Sequence, residues 1–115
     1  MSVSQGLNRS MIEKAYDLKQ QIESIIFSMP DCELYQLQTR MGKIIEVLPE
    51  QMALSFEKET KIAKIRGFIE IVGNLQECKD YLELLQKIKY ADYSEAISKI
   101  DNITESLMVN SGSLN

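Results

Sequence analysis

Apolar residues recur at three- and four-residue intervals along nearly the whole chain, and this spacing is the feature that most constrains the fold. In the segment LQECKDYLELLQKI, the spacing places Leu75, Cys78, Leu82 and Leu85 on one face of a helix. No stretch of the sequence alternates apolar and polar residues between turn signals, as a half-buried strand would. The sequence therefore predicts an all-α protein.

Two helices are predicted in the first half of the chain. The first runs from about residue 10 to residue 28, because Ser10 and Glu13 form a capping-box pattern before the apolar stripe. The second begins after Asp31, a residue type that caps helix N-termini, and ends at a turn predicted at residues 55–57. Pro49 falls inside this helix and is expected to kink or weaken its last turns.

Two further helices are predicted in the second half. The third covers about residues 58–89 and contains Gly67 and Gly73, each unfavourable in a helix interior by roughly 1 kcal/mol relative to alanine. These glycines are either tolerated weak points or places where a neighbouring helix approaches closely. The fourth helix begins at Asp92, an acidic N-cap followed three residues later by Glu95.

The apolar stripes of these helices define a predicted core. In chain order they comprise Met11, Ala15, Leu18, Ile22, Ile25 and Met29; Leu34, Leu37, Met41, Ile44 or Ile45, Leu48 and Met52; Ile62, Ile65, Phe68 or Ile69, Val72, Leu75, Cys78 or Lys79, Leu82 and Leu85; and Ala96, Ile100, Ile103 and Leu107. Four amphipathic helices with short connections predict an antiparallel up-down-up-down four-helix bundle. The 115 residues fit one domain, with a core from about residue 10 to 109 and flexible segments at 1–9 and 110–115.

Composition removes several classes of function. The chain has no histidine, and so lacks the commonest general base and the ligand of most zinc sites. It has no glycine-rich phosphate loop, and no catalytic, metal or cofactor site is predicted. The N-terminus does not resemble a secretory signal, and no apolar run is long enough to span a membrane. A cytoplasmic location is expected, away from membranes and with Cys32 and Cys78 as reduced thiols.

Positive charge is concentrated where the second and third helices meet, although the formal net charge is -4. The segment EKETKIAKIR contains four bases and two acids, whereas the chain from Gly67 onward contains four bases and eight acids. The candidate phosphate-contacting residues on these two helices are Arg40, Lys43, Lys58, Lys61, Lys64 and Arg66. They form either a solvated helix face or a patch that neutralises nucleic-acid phosphates.

The segment from Gly73 to Tyr90 resembles a pattern found in the rRNA intervening-sequence proteins. This family of small bacterial four-helix-bundle proteins includes the accessory variability determinant of diversity-generating retroelements. The residues that match the pattern are Gly73, Leu75, Glu77, Leu82, Leu85 and Tyr90. Upstream, the residues that fit the family's preceding helix are Leu37, Met41, Lys43, Leu48, Pro49, Met52 and Ala53. Asn74 and Lys89 stand where the pattern has serine and glycine.

The resemblance implies an antiparallel four-helix bundle that assembles as a ring-like homopentamer. It also implies partnership with a reverse transcriptase and binding of RNA or DNA through a basic surface, as in the accessory variability determinant. The expected function is therefore that of a non-enzymatic, homo-oligomeric scaffold, accessory to a reverse transcriptase or a structured RNA. That relative is strongly basic whereas this chain is acidic, which keeps an alternative open: a protein–protein adaptor without nucleic-acid binding, which uses apolar surface on helices two or three.

Overall fold

Four α-helices make up the fold in a computed structural model of the chain. The structure describes residues 3–29, 35–88 and 90–113, with side chains described for 8–29, 36–88 and 90–109. The helices are α1 (Val3–Ser28), α2 (Tyr35–Glu57), α3 (Lys61–Lys87) and α4 (Ser94–Ser113). No strand occurs within these described ranges. Over these residues the prediction of an all-α chain with four helices is confirmed.

The helices pack side by side around one apolar core. α2 contacts α1 and α3, and α4 contacts α3 and α1, so each helix has two neighbours. The overall extents are 47 × 21 × 20 Å, and the long dimension matches helices that rise about 1.5 Å per residue. The core residues buried from solvent are Met11, Ala15, Leu18, Ile22, Met29, Met41, Ile44, Ile45, Leu48, Met52, Phe68, Ile71, Leu75, Cys78, Leu82, Leu85, Tyr93, Ala96, Ile100, Ile103 and Leu107. Most of the predicted stripe positions are among them.

α1 begins at Val3, well before the predicted start near residue 10. The capping-box prediction at Ser10 is wrong, because Ser10 lies inside the helix. Residues 3–9 contain no proline and one glycine, which disfavours a helix by only about 1 kcal/mol, so the helix can continue through them. Three residues of the predicted second helix, Asp31, Cys32 and Leu34, lie outside the described part of the chain.

α2 continues through Pro49 and through the predicted turn. Pro49 is buried, and the helix runs on to Glu57. The predicted turn at residues 55–57 is therefore wrong, and the connection to α3 is formed by residues 58–60. Packing explains the difference. Ser55 is buried, and the Phe56 ring meets the Phe68 ring edge-on with 5.4 Å between centroids, so the last turn of α2 is held against α3.

The face of α3 that packs against the core differs in part from the predicted apolar stripe. Phe68 and Ile71 are buried, whereas Ile62 and Ile69 are 64% and 61% exposed. The choice between Phe68 and Ile69 is thus settled for Phe68, and the placement of Ile62 in the core is wrong. Apolar residues lie on the outward face of α3 as well as on its inner face. Their spacing alone therefore allowed more than one rotation of the helix.

The two glycines of α3 have different surroundings. A Cβ built on Gly67 would lie 2.3 Å from Ser55 Oγ and 2.8 Å from Ser55 Cβ. A Cβ built on Gly73 would meet nothing within 4 Å. Gly67 therefore permits a close approach between α3 and α2. At Gly73, by contrast, no described residue approaches closely enough to require a glycine.

α4 begins one residue later than an N-cap at Asp92 would require: Tyr93 directly precedes Ser94, the first helical residue, and the Tyr93 carbonyl accepts a hydrogen bond from the Ile97 backbone N at 3.0 Å. Asp92 Oδ1 accepts hydrogen bonds from the Ser94 backbone N at 2.9 Å and from Ser94 Oγ at 2.6 Å. These bonds favour the carboxylate and lower the pKa of Asp92. Gln86 Oε1 accepts from the Tyr93 backbone N, which ties the end of α3 to the start of α4.

Candidate nucleic-acid interface

The first turn of α3 is fixed by an N-cap. Thr60 has extended backbone angles, φ -101° and ψ 151°, and its Oγ1 accepts a hydrogen bond from the Ala63 backbone N at 3.1 Å. The Thr60 carbonyl accepts from the Lys64 backbone N at 3.1 Å. The cap makes Lys61 the first helical residue, and Lys64 follows one turn later on the same side of the helix.

Four bases gather at this end of α3. We call Lys58, Lys61, Lys64 and Arg66 the basic cluster. Lys64 is half-buried and the other three are exposed. No member forms an ion pair with any other described residue. The cluster therefore keeps its charge available to an external partner.

The basic cluster lies at the end of α3 that disfavours positive charge. The N-terminus of a helix carries a partial positive charge, which anions stabilise and cations do not. The first turn of α3 contains no acidic residue, and it begins with Lys61. Backbone N–H groups at this end add to the positive potential of the lysines. The arrangement works against helix stability and attracts anions.

Arg40 lies elsewhere and already has a partner. Its Nε donates to Glu77 Oε2 at 2.8 Å and its Nη2 donates to Glu77 Oε1 at 2.9 Å, so the pair is bidentate and joins α2 to α3. The Tyr81 hydroxyl also donates to Glu77 Oε2. The hydrogen bonds from Tyr81 and then Arg40 lower the pKa of Glu77, and the same bond to Glu77 raises the pKa of Tyr81.

We expect the substitution Glu77→Gln to flatten the acid side of the stability profile. A lowered pKa means that the contribution of Glu77 is fully present above its unfolded pKa of about 4.5 and is lost as the pH falls through the lower folded value. Denaturant unfolding at several pH values should therefore show the variant less stable than the wild type at pH 7. The gap should narrow as the pH falls below about 4.5. Glu13→Gln, at an exposed carboxylate without an ion pair, is the control. A gap that stays constant to pH 3 would contradict this assignment.

Four of the six predicted site residues lie close together along the chain, within residues 58–66, and the other two lie on α2. Arg40 lies 17 residues before the end of α2, which corresponds to about 26 Å along the helix axis. Lys43 is exposed and lines a groove between α1 and α2. Arg40 and Lys43 therefore do not share one surface with the basic cluster.

Sequence reasoning missed two exposed apolar residues beside the basic cluster. Ile62 and Ile69 flank Arg66 at helical spacing on the outward face of α3. The apolar spacing predicts Ile62 as a core residue and offers Ile69 as an alternative to Phe68. The positions of Arg66 and Gly73 on the same face are the available signal that this face is outward. This end of α3 thus offers both positive charge and apolar surface.

The described residues present little other chemistry. Cys78 is a free thiol in the core, and burial raises its pKa to about 12, so it is a poor nucleophile. Across residues 3–29, 35–88 and 90–113, no group of three acidic, cysteine or histidine side chains is placed to hold a metal ion. None of the helices, as far as they are described, is long and apolar enough to cross a bilayer.

In comparisons with models of known protein families, with curated proteins and with solved structures, the chain has no match.

Proposed function

We propose that the protein is a non-enzymatic, homo-oligomeric scaffold that contacts the phosphate backbone of a structured RNA or of DNA through the basic cluster. The observation that carries the proposal is the set of unpaired bases at the N-terminus of α3. Natural sequences tend to place acids there, because cations at a helix N-terminus lower stability. A departure from a local stability rule without a structural compensation is typical of a functional site.

We also infer that neighbouring helices run antiparallel, as in an up-down-up-down bundle. Arg40 near the start of α2 contacts Glu77 in the second half of α3, whereas Phe56 near the end of α2 contacts Phe68 in the first half of α3. The three-residue connection between α2 and α3 also favours antiparallel neighbours.

The acidic net charge is compatible with a local phosphate site. Affinity for nucleic acid depends on the lysines and arginines that neutralise phosphates, and each such contact adds to the salt dependence of binding. A single cluster of four bases gives few contacts. A homo-oligomer would present the cluster several times on one particle, and linked sites bind more tightly than one.

The resemblance to the rRNA intervening-sequence proteins extends the proposal. It suggests a cytoplasmic homopentamer and a partner reverse transcriptase. Measurement of the solution mass by light scattering tests the first suggestion, with five times 13.2 kDa as the expected value. A reverse-transcriptase gene beside the gene for this chain would support the second.

We expect Lys58→Glu combined with Lys61→Glu to abolish binding of a short structured RNA at ~0.15 M salt. Fluorescence anisotropy over a salt series is the measurement, and each lysine that contacts a phosphate should contribute about 1 to the slope of log affinity against log salt. The variant should remain folded and gain about 0.3–1 kcal/mol of stability, because glutamate at the start of α3 suits the helix dipole. A variant that is more stable and yet unable to bind would separate function from folding.

A matched control carries the same charge change at another place. Lys14→Glu combined with Lys87→Glu replaces two exposed, unpaired lysines outside the basic cluster and gives the same net charge. It should keep most of the affinity. Equal loss in both variants would mean that overall charge governs binding, and wild-type binding in both would mean that the basic cluster has no role.

A protein–protein adaptor is the second candidate function. Exposed Ile62 and Ile69 on either side of Arg66 favour this function, because apolar side chains do not contribute to binding a phosphate but do contribute to binding a protein. Replacing both isoleucines with serine should leave RNA binding intact under the first proposal. If the protein is instead an adaptor, the same replacement should abolish binding of a protein partner, and that binding should be insensitive to salt concentration.

A further inference from the structure

Among the described residues, Phe27 on α1 is the most exposed of the large apolar side chains, with 92% of its surface open to solvent. A phenylalanine in this position gains almost nothing from packing within the chain. Aromatic side chains are enriched at the centres of protein interfaces and depleted from free surfaces. Phe27 is therefore better explained by a contact outside the chain than by the fold.

Phe27 stands beside a groove between α1 and α2. The groove has a volume of about 530 Å³. Gly42 lines the groove, and a Cβ built on it would have Ile26 Cδ1, at 3.9 Å, as its only neighbour within 4 Å. The missing side chain leaves space for an apolar group from another molecule. One face thus holds both an exposed aromatic ring and a recess.

The charges around the groove are balanced. Lys19 and Glu23 line it from α1, and Lys43 and Glu46 line it from α2. None of these four forms an ion pair with another described residue. Two positive and two negative groups, all unpaired, leave this face without net charge, so two copies can oppose it without like-charge repulsion.

We propose that this α1–α2 face is a two-fold interface that binds the same face of a second copy of the chain. Across a two-fold axis every pairwise contact occurs twice. Phe27 of each copy therefore enters the recess at Gly42 of the other copy, and lysines oppose glutamates. Two chains of net charge -4 repel each other, and a locally neutral face is where two copies can approach. This inference rests on the self-association part of the proposed function and not on nucleic-acid binding. A two-fold contact closes after two copies, so it forms a dimer or joins two rings, and it is distinct from the contacts that would build the suggested pentamer. The basic cluster lies outside the groove.

Phe27→Ala is the first test, because a side chain this exposed can be removed without unfolding the chain. Sedimentation velocity over a concentration series should show the dissociation constant of self-association rise by about 700-fold or more, since an interface hot spot is lost twice. Val109→Ala, at another exposed apolar residue that is 70% open, should change nothing. A wild-type chain that stays monomeric at all concentrations would overturn self-association itself. A wild-type oligomer that Phe27→Ala leaves unchanged would overturn only this interface.

A charge exchange tests the two-fold geometry without assuming which lysine meets which glutamate. Lys19→Glu with Lys43→Glu gives a groove lined by four carboxylates, and Glu23→Lys with Glu46→Lys gives one lined by four ammonium groups. Each variant alone should fail to associate through this face, and an equimolar mixture should form a heteromer. A mixture that shows no association, from a wild type that does associate, would overturn the proposal.

Discussion

Replacing Gly67 with alanine is expected to destabilise the protein by about 1–3 kcal/mol, whereas the same replacement at Gly73 is expected to stabilise it by up to about 1 kcal/mol. Both glycines lie in α3, so both gain the same intrinsic helix propensity. The difference comes from Ser55 on α2, whose Oγ and Cβ stand 2.3 and 2.8 Å from the position that a Cβ at Gly67 would take. Urea unfolding of the two variants measures the contrast.

A third variant identifies the cause. Ser55→Gly removes the two atoms that obstruct residue 67, and leaves Ser55 Cα at an ordinary contact distance of 3.5 Å. In that background Gly67→Ala should become neutral or stabilising. If Gly67→Ala remains destabilising there, the loss does not come from the contact with Ser55. If Gly67→Ala and Gly73→Ala behave alike in the wild-type background, the close approach of α2 and α3 is wrong.

Phe68→Ala is expected to have the largest effect of a single substitution, about 3–5 kcal/mol. Phe68 is 2% exposed, and its ring makes the edge-on contact with Phe56. The substitution removes a large apolar surface from the core and leaves a cavity. A loss of this size is a large part of the total stability of about 5–15 kcal/mol that is typical of native proteins.

Ile69→Ala is the control, one residue further along the same helix. Ile69 is 61% exposed, and surface substitutions change stability by about 0.5 kcal/mol or less. Chemical denaturation of both variants would therefore show which rotation of α3 is correct. Equal losses, or a larger loss at Ile69, would mean that α3 presents a different face to the core.

Apolar spacing sufficed to predict the helices and most of the core. It works well for α4, where Ala96, Ile100, Ile103 and Leu107 are all buried, because the other faces of that helix are mostly polar. It was less decisive in α3, where isoleucines on the outward face compete with the core stripe. Short-range signals were also uneven. Asp92 binds Ser94 at the start of α4 but lies one residue too early to be its N-cap, and the serine at position 10 lies within α1.

The candidate site was predictable in composition and not in arrangement. Counting charges found the basic cluster, because its members lie close together along one stretch of the chain. It could not show that Arg40 is engaged by Glu77, a residue 37 positions away. Nor could it show that Phe27 is exposed beside Gly42, because that depends on how α1 and α2 pack. Such facts require the tertiary contacts.

The buried thiol of Cys78 can report transient opening of the core. The chain has no tryptophan, so intrinsic fluorescence offers little signal for following conformational change. A sulfhydryl group that is shielded from solvent reacts with an alkylating reagent only in molecules that have transiently opened. With Cys32 replaced by serine, the labelling rate at Cys78 would follow the opening of the core. The same labelling rate would show whether assembly or a bound partner slows that opening.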